Sequence, residues 1–178
     1  LSSETHNTGT DRIFEVFKNT LKSSPNIIVN LQGDMPNIEP KIIKNLINYM
    51  QQGKCEVGTL ASEIKNNFEL EDENIVKVLV KEKLKEGIFS EALDFLRVNP
   101  GKDHKTYHHV GIYAFTSIAL TKYVSLKRSK LELNRKLEQL RAMENGMSIH
   151  VGYINSSPLS VDTEKDLFRI KKLMEQNE

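Results

Sequence analysis

Cysteine is nearly missing from this sequence: among 178 residues, Cys55 is the one thiol. A lone cysteine excludes an intrachain disulfide framework and fits a reducing compartment. With Val57 two positions on, Cys55 reads as a small strand residue rather than a reactive group. An excess of either charge is missing as well. The 25 basic side chains face 24 acidic ones, so nothing draws the chain as a whole toward nucleic acid or a membrane surface. No apolar run approaches the roughly 18 residues that would span a bilayer, and no signal-peptide pattern opens the chain. Internal repeats and low-complexity segments are lacking too. The expectation is a cytoplasmic globular protein, with no nucleic acid and no membrane among its partners, long enough for one well-cored domain. An initiator methionine is also missing. Leu1 begins "LSSETHNTGTDR", which reads like the middle of a loop, so the expected unit is residues 1–178 as a single domain seen without its beginning.

What is present alternates between two periods. "TDRIFEVFKNTLK" puts Ile13, Phe14, Phe17 and Leu21 on one helical face with Thr10 as N-cap, and Pro25 ends it. Ile27, Ile28, Val29 and Leu31 then form a short β-branched run, the pattern of a strand covered on both faces. "EPKIIKNLINYMQQG" returns to helical spacing, with Pro40 in the first turn and Gly53 as the stop, and a strand follows around Cys55 to Ile64. "NIVKVLVKEK" alternates valines with lysines and reads as a half-exposed strand, "FSEALDFLR" as a helix or an irregular excursion, and "TYHHVGIYAFT" and "MSIHVGYI" as strands. Ser129 with Glu132, and Thr163 with Asp166, mark two helix starts. The fold class expected is α/β, three-layered, with a mixed sheet and an antiparallel element in the middle.

The strand from Ile27 ends abruptly on Gln32, Gly33 and Asp34. Ligands in open α/β folds bind at the carboxyl ends of strands, so Asp34 is either a turn residue or an acid placed to hold something. Asp162 stands in a similar place, after a strand and before a helix start. Two carboxylates converging from different strand ends suit Mg²⁺, a cation that prefers oxygen ligands, although Asp after a strand is also ordinary turn chemistry. His104, His108 and His109 form a tempting cluster, but on a strand His108 and His109 point to opposite faces and do not share one ion. "TGTDR" sets Arg12 near a helix start, where backbone N–H groups favour anions, without Walker A spacing. Glu138 and Arg141, three apart, read as a surface pair.

Taken in order, "HNTGTDRI", "VNLQGDMP", "VKV", "FSEA", "HHVGIYAF", "LEQLR" and "VDTEKDL" resemble the bacterial 3-deoxy-manno-octulosonate (KDO) cytidylyltransferases, from about His6 to Leu173. The resemblance implies a Rossmann-like nucleotidyltransferase fold with an antiparallel dimerisation element, and a homodimer. It implies the reaction of CTP with the sugar acid KDO, giving CMP-KDO and pyrophosphate with Mg²⁺, for lipopolysaccharide biosynthesis. Asp34 and Asp162 match the metal-holding acids and Arg12 a nucleotide contact. Gln32, His109, Glu138 and Gln139 match positions lining the sugar pocket. The family's first strand and phosphate-gripping loop have no counterpart in these residues.

Several positions depart from the family pattern. Met35 replaces a Glu, His108 an Arg, and Leu133 and Arg135 a His and a Glu. Glu91 stands where the resemblance places an Arg facing the sugar acid, and a carboxylate there would repel the substrate's own. Glu91 therefore motivates one alternative, a nucleotidyltransferase for a different sugar acid or sugar phosphate, and the departures together motivate another, a diverged non-catalytic relative.

Overall fold

Strands and helices alternate, and the chain lays them into one mixed sheet. The computed structural model describes residues 2–3, 5–6, 8–20, 25–99, 101, 105–155, 157–161 and 163–175. In chain order the elements are α1 (Gly9–Thr20), β1 (Ile27–Asn30), α2 (Pro40–Gln51), β2 (Val57–Ser62), α3 (Asn67–Glu71), β3 (Lys77–Val80) and β4 (Phe89–Leu96). They continue with β5 (Thr106–Thr116), α4 (Ser117–Ser125), α5 (Lys130–Arg135), α6 (Gln139–Glu144), β6 (Ile149–Tyr153) and α7 (Glu164–Glu175).

The sheet runs β1-β5-β2-β6-β4-β3, and β3 also pairs with β5, so the last strand curls back onto the second. Strand β5 is antiparallel to β1, β2 and β3, while β2 and β6 are parallel. Strands β1, β2 and β6 therefore share a direction, and the carboxyl ends of β1 and β6 open toward the same end of the sheet. A register shift between Thr59 and Leu60 bends β5 against β2, which lets its first half reach β3 while its second half holds β1.

Helices cover both faces, giving the three layers expected. On one face Ile13, Phe14 and Phe17 of α1, Leu120 and Tyr123 of α4 and Leu140 of α6 pack on Val57, Val78, Phe95 and Phe115. On the other, Leu46 and Met50 of α2 pack on Leu60, Val110 and Ile112. Gly58 permits that second contact: a Cβ there would stand 2.8 Å from Leu46 Cδ1 and 2.9 Å from Met50 Sδ. Cys55 lies buried beneath α2 and its thiol is pushed up to about 12 by burial, which fits a structural residue.

Several local expectations change. Helix α1 begins at Gly9, and Thr8 rather than Thr10 supplies the cap, its Oγ1 accepting from the Asp11 N–H at 3.2 Å. Leu21 and His104 lie outside the described residues. "FSEALDFL" is strand β4, because β6 and β3 offer it backbone partners on both edges. Strand β3 is buried rather than half exposed. Val78 and Val80 enter the core, and Lys77 is 0% exposed, its Nζ donating to the carbonyls of Asp72 at 2.6 Å and Arg97 at 2.8 Å. The helix begun by the Ser129–Glu132 capping box breaks at Lys136, so Leu133 is left half exposed on α5 while Leu137 and Leu140 are buried.

Candidate active site

β1 ends at Asn30, which is buried, and the chain turns through Gln32 and Asp34, with the Met35 N–H donating to the Gln32 carbonyl at 3.4 Å. Gln32 Nε2 reaches back to Asn30 Oδ1 at 3.3 Å. Asp34 is pinned from the loop after β6. The Val161 N–H donates to its carbonyl at 2.9 Å and Ser160 Oγ to its Oδ2 at 3.2 Å. Its other carboxylate oxygen, Oδ1, is buried and has no partner. That is the donor set a hard cation takes, one carboxylate oxygen held in place and another uncommitted. Asp162 follows Val161 directly and lies outside the described residues. Among the described residues no three His, Cys, Asp or Glu side chains form a cluster suited to a metal.

β5 runs past this turn and contributes His109 and Tyr113, whose rings lie 5.4 Å apart. His109 is 8% exposed, with Phe95 edge-on at 5.0 Å. Its Nε2 is 2.9 Å from Thr59 Oγ1, and that hydroxyl is also 2.8 Å from the Ile112 carbonyl. A carbonyl only accepts, so the Thr59 proton goes to Ile112, Nε2–H donates to Thr59, and Nδ1 is left as an acceptor. Burial, with His108 adding to it, pushes the imidazole down to about 3, so the ring is neutral in ordinary buffers. His108 sits on the other face and pairs with Glu69 at 3.4 Å, which separates the two histidines as strand alternation requires. The Tyr113 hydroxyl is buried without a partner, and burial raises it well above the ordinary phenol value.

The third contribution comes from the start of α6. Glu138 precedes the helix and Gln139 opens it. Burial raises the Glu138 carboxyl above its ordinary value, while Thr8, Thr10 and Arg141 partly offset this. Its Oε2 has no hydrogen-bond partner. Arg141 is not on the surface and does not pair with Glu138. It is 2% exposed and held by Glu132 and Asp11.

Gln32, Asp34, His109, Glu138 and Gln139, chosen from sequence, thus line one cleft of about 290 Å³. Arg12 does not join them: it is exposed on α1, one residue beyond Asp11. Glu91 is not among the residues lining this cleft: it lies on β4 opposite His150 and 3.6 Å from Lys81. The cleft holds three residues that sequence reasoning missed, Tyr113, Arg97 and Lys136. Tyr113 was reachable, since it follows His109 by four positions on the same strand. Arg97 and Lys136 follow a strand end and a helix end, and no periodicity marks them. A second cleft, of about 630 Å³, adjoins through Met35, Val76, His109 and Gly111.

Residues 1–149 match the family model described as cytidylyltransferase. A 3-deoxy-manno-octulosonate cytidylyltransferase of Bartonella tribocorum is 39% identical over 178 residues, covering 95% of this chain and 70% of that protein. One from Rhodopseudomonas palustris is 39% identical over 176 residues, covering 95% of this chain and 69% of that protein. Among solved structures, a CMP:2-keto-3-deoxy-manno-octonic acid synthetase complexed with CTP superposes with a TM-score of 0.87 and 32% identity, over 99% of this chain and 72% of that one. A UDP-glucose pyrophosphorylase, 14% identical, matches at a TM-score of 0.68 over 99% of this chain and 62% of that one, a likeness of fold alone.

Proposed function

This chain belongs to the 3-deoxy-manno-octulosonate cytidylyltransferase family, and from that premise we propose that it joins CMP from CTP to KDO and releases pyrophosphate. The supporting observation is a concentration of unmet hydrogen bonds. Among the described residues five buried side-chain atoms lack partners. Three of them, Asp34 Oδ1, Tyr113 OH and Glu138 Oε2, belong to side chains lining the one cleft, and a fourth, Asn30 Nδ2, belongs to the neighbour of Gln32. Leaving such atoms unsatisfied costs about 1–3 kcal/mol each, so a cleft that collects them is built for a ligand rich in hydroxyl groups.

In this reading Gln32, Tyr113, Glu138, Gln139 and Nδ1 of His109 meet the sugar's hydroxyls, and the attacking oxygen is held in line with the α-phosphorus of CTP. Their contribution is orientation and water exclusion rather than covalent chemistry. The resemblance assigns Arg12 to the nucleotide. Mg²⁺ would be held by Asp34 together with Asp162, where it supplies positive charge for the phosphate oxygens. The resemblance also supports a homodimer and a cytoplasmic location; light scattering tests the first. No helix among the described residues is long and apolar enough to cross a membrane.

The test is pyrophosphate release by the full-length gene product with CTP and Mg²⁺, with and without KDO. Release that requires KDO is expected. Equal release without KDO, or none with it from protein that binds CTP, would overturn the assignment.

A further inference from the structure

The cleft has two cationic side chains, Arg97 and Lys136. Arg97 is partly engaged, its Nη1 donating to the Glu73 carbonyl at 3.1 Å. Lys136 is exposed, and among the described residues no hydrogen bond or ion pair holds its ammonium group.

Its backbone is the unusual feature. Lys136 is the one non-glycine residue with positive φ among the described residues, at φ 54 and ψ 46. It caps α5, its N–H closing onto the Glu132 carbonyl, and this left-handed residue turns the chain into Leu137, Glu138 and Gln139, which line the cleft. Helix ends of this kind ordinarily take glycine, which adopts the conformation without steric cost. A lysine in that conformation beside the cleft is a backbone outlier that points to a role for its side chain.

We propose that Lys136 is a specificity-determining residue that supplies the countercharge for the carboxylate of the acceptor sugar acid. The inference rests on the function proposed above. Asp34 and Glu138 bring acid groups to the same cleft, so an anionic acceptor entering it needs a positive charge close by. A flexible lysine with no other partner can turn all three of its donors to that need, whereas the Arg97 guanidinium is already anchored through Nη1 to the Glu73 carbonyl. Lys136 also adjoins Glu138 and Gln139, on the side of the cleft assigned to the sugar, whereas Arg12, the nucleotide candidate, stands outside it.

Lys136→Gly separates this role from a structural one, because the two predict opposite directions. Glycine relieves the backbone, so the melting temperature should hold or rise. The KM for KDO should rise about ten-fold, the loss of one charge-assisted contact, while the KM for CTP stays put. The preference for KDO over its neutral carboxamide, measured as a competitive inhibitor, should collapse in Lys136→Gly and Lys136→Asn and survive in Lys136→Arg. An unchanged KM for KDO, or a rise confined to CTP, overturns the proposal. Calorimetric binding of KDO gives the same comparison without turnover. Wild-type protein that binds KDO without releasing pyrophosphate overturns the reaction alone. Lys136→Gly that binds KDO as tightly as wild type overturns the role of Lys136 alone, and wild type that binds no KDO overturns both.

Discussion

Arg141 closes on Glu132 with two parallel hydrogen bonds, Nε to Oε2 at 2.9 Å and Nη2 to Oε1 at 2.7 Å, and both residues are at most 2% exposed. The same guanidinium lies 4.6 Å from the centre of the Tyr123 ring and sends Nη1 to Asp11 Oδ1 at 3.4 Å. Asp11 Oδ2 in turn accepts from the Thr8 hydroxyl at 2.8 Å, and Tyr123 donates to the Glu138 carbonyl at 2.9 Å. One buried pair therefore fixes the turn that opens α1 against the residues that open α6.

Removing one member of this pair leaves the other charge buried. Arg141→Ala is expected to cost about 3–5 kcal/mol in urea unfolding. Arg141→Lys keeps the charge but loses the fork, and should fall between it and wild type. Glu132 is desolvated, which raises its carboxyl, but its bonds to Arg141, Arg128 and the Ser129 N–H outweigh this and hold it below the ordinary value of 4.5. Its stabilising effect is thus complete above 4.5 and is lost as pH falls through the lower folded value.

Tyr113→Phe removes a buried hydroxyl that has no partner in the free protein. Stability should be unchanged or higher by up to about 1 kcal/mol, while the KM for KDO rises about ten-fold. Thermal melts and initial rates on the same preparation check both. A melting temperature lowered together with affinity would contradict this account.

His109 gives an acid-sensitivity that can be located on the pH axis. Its ordinary value is 6.5 and its folded value about 3. Above 6.5 both folded and unfolded chains carry a neutral ring, and stability is complete. Below it the unfolded chain binds a proton at this ring that the folded chain refuses, so the contribution of His109 to stability declines toward about pH 3 with a slope near 1.4 kcal/mol per pH unit. His109→Gln should remove its share of the slope below pH 6.5 and leave the share of His108 and His150, whose rings burial also pushes below the ordinary value. Urea titrations at three or four pH values decide.

Asp34→Asn keeps the shape of the Gln32–Asp34 turn and removes its charge. Turnover should fall by about a hundred-fold or more, and the Mg²⁺ concentration needed for half-maximal rate should rise. The fold should hold, since Asp34 Oδ1 has no protein partner to lose. Wild-type turnover in this variant would remove Asp34 from the metal.

Short-range patterns carried much of the architecture. The apolar run at Ile27, the capping box at Ser129 and the helical spacing from Ile42 to Met50 all lie where residue chemistry puts them. "FSEALDFL" was ambiguous because its partners, β6 and β3, lie far away in sequence and periodicity contains no trace of them. Lys77 misled for a related reason. A lysine in an alternating strand signals solvent unless carbonyls such as those of Asp72 and Arg97 happen to meet its Nζ. In the cleft, Gln32, Asp34 and His109 were legible through strand ends and motif order. Arg97 and Lys136 were not, since a cation near a chain turn looks the same whether it lines a site or faces water.

The pairing of β5 with β1 also sets an order of events in synthesis. Among the described residues β1 pairs with β5, with Ile27 opposite Thr116 and Asn30 opposite Tyr113. A ribosome making this chain extrudes the Ile27–Asn30 segment long before residue 116 leaves the exit tunnel. Until then an apolar, β-branched stretch waits without this pairing, and exposed apolar stretches are where nascent chains recruit chaperones or one another. The strand that carries His109 and Tyr113 is therefore also the strand whose arrival completes this pairing, and codons that slow its translation would lengthen the interval before it.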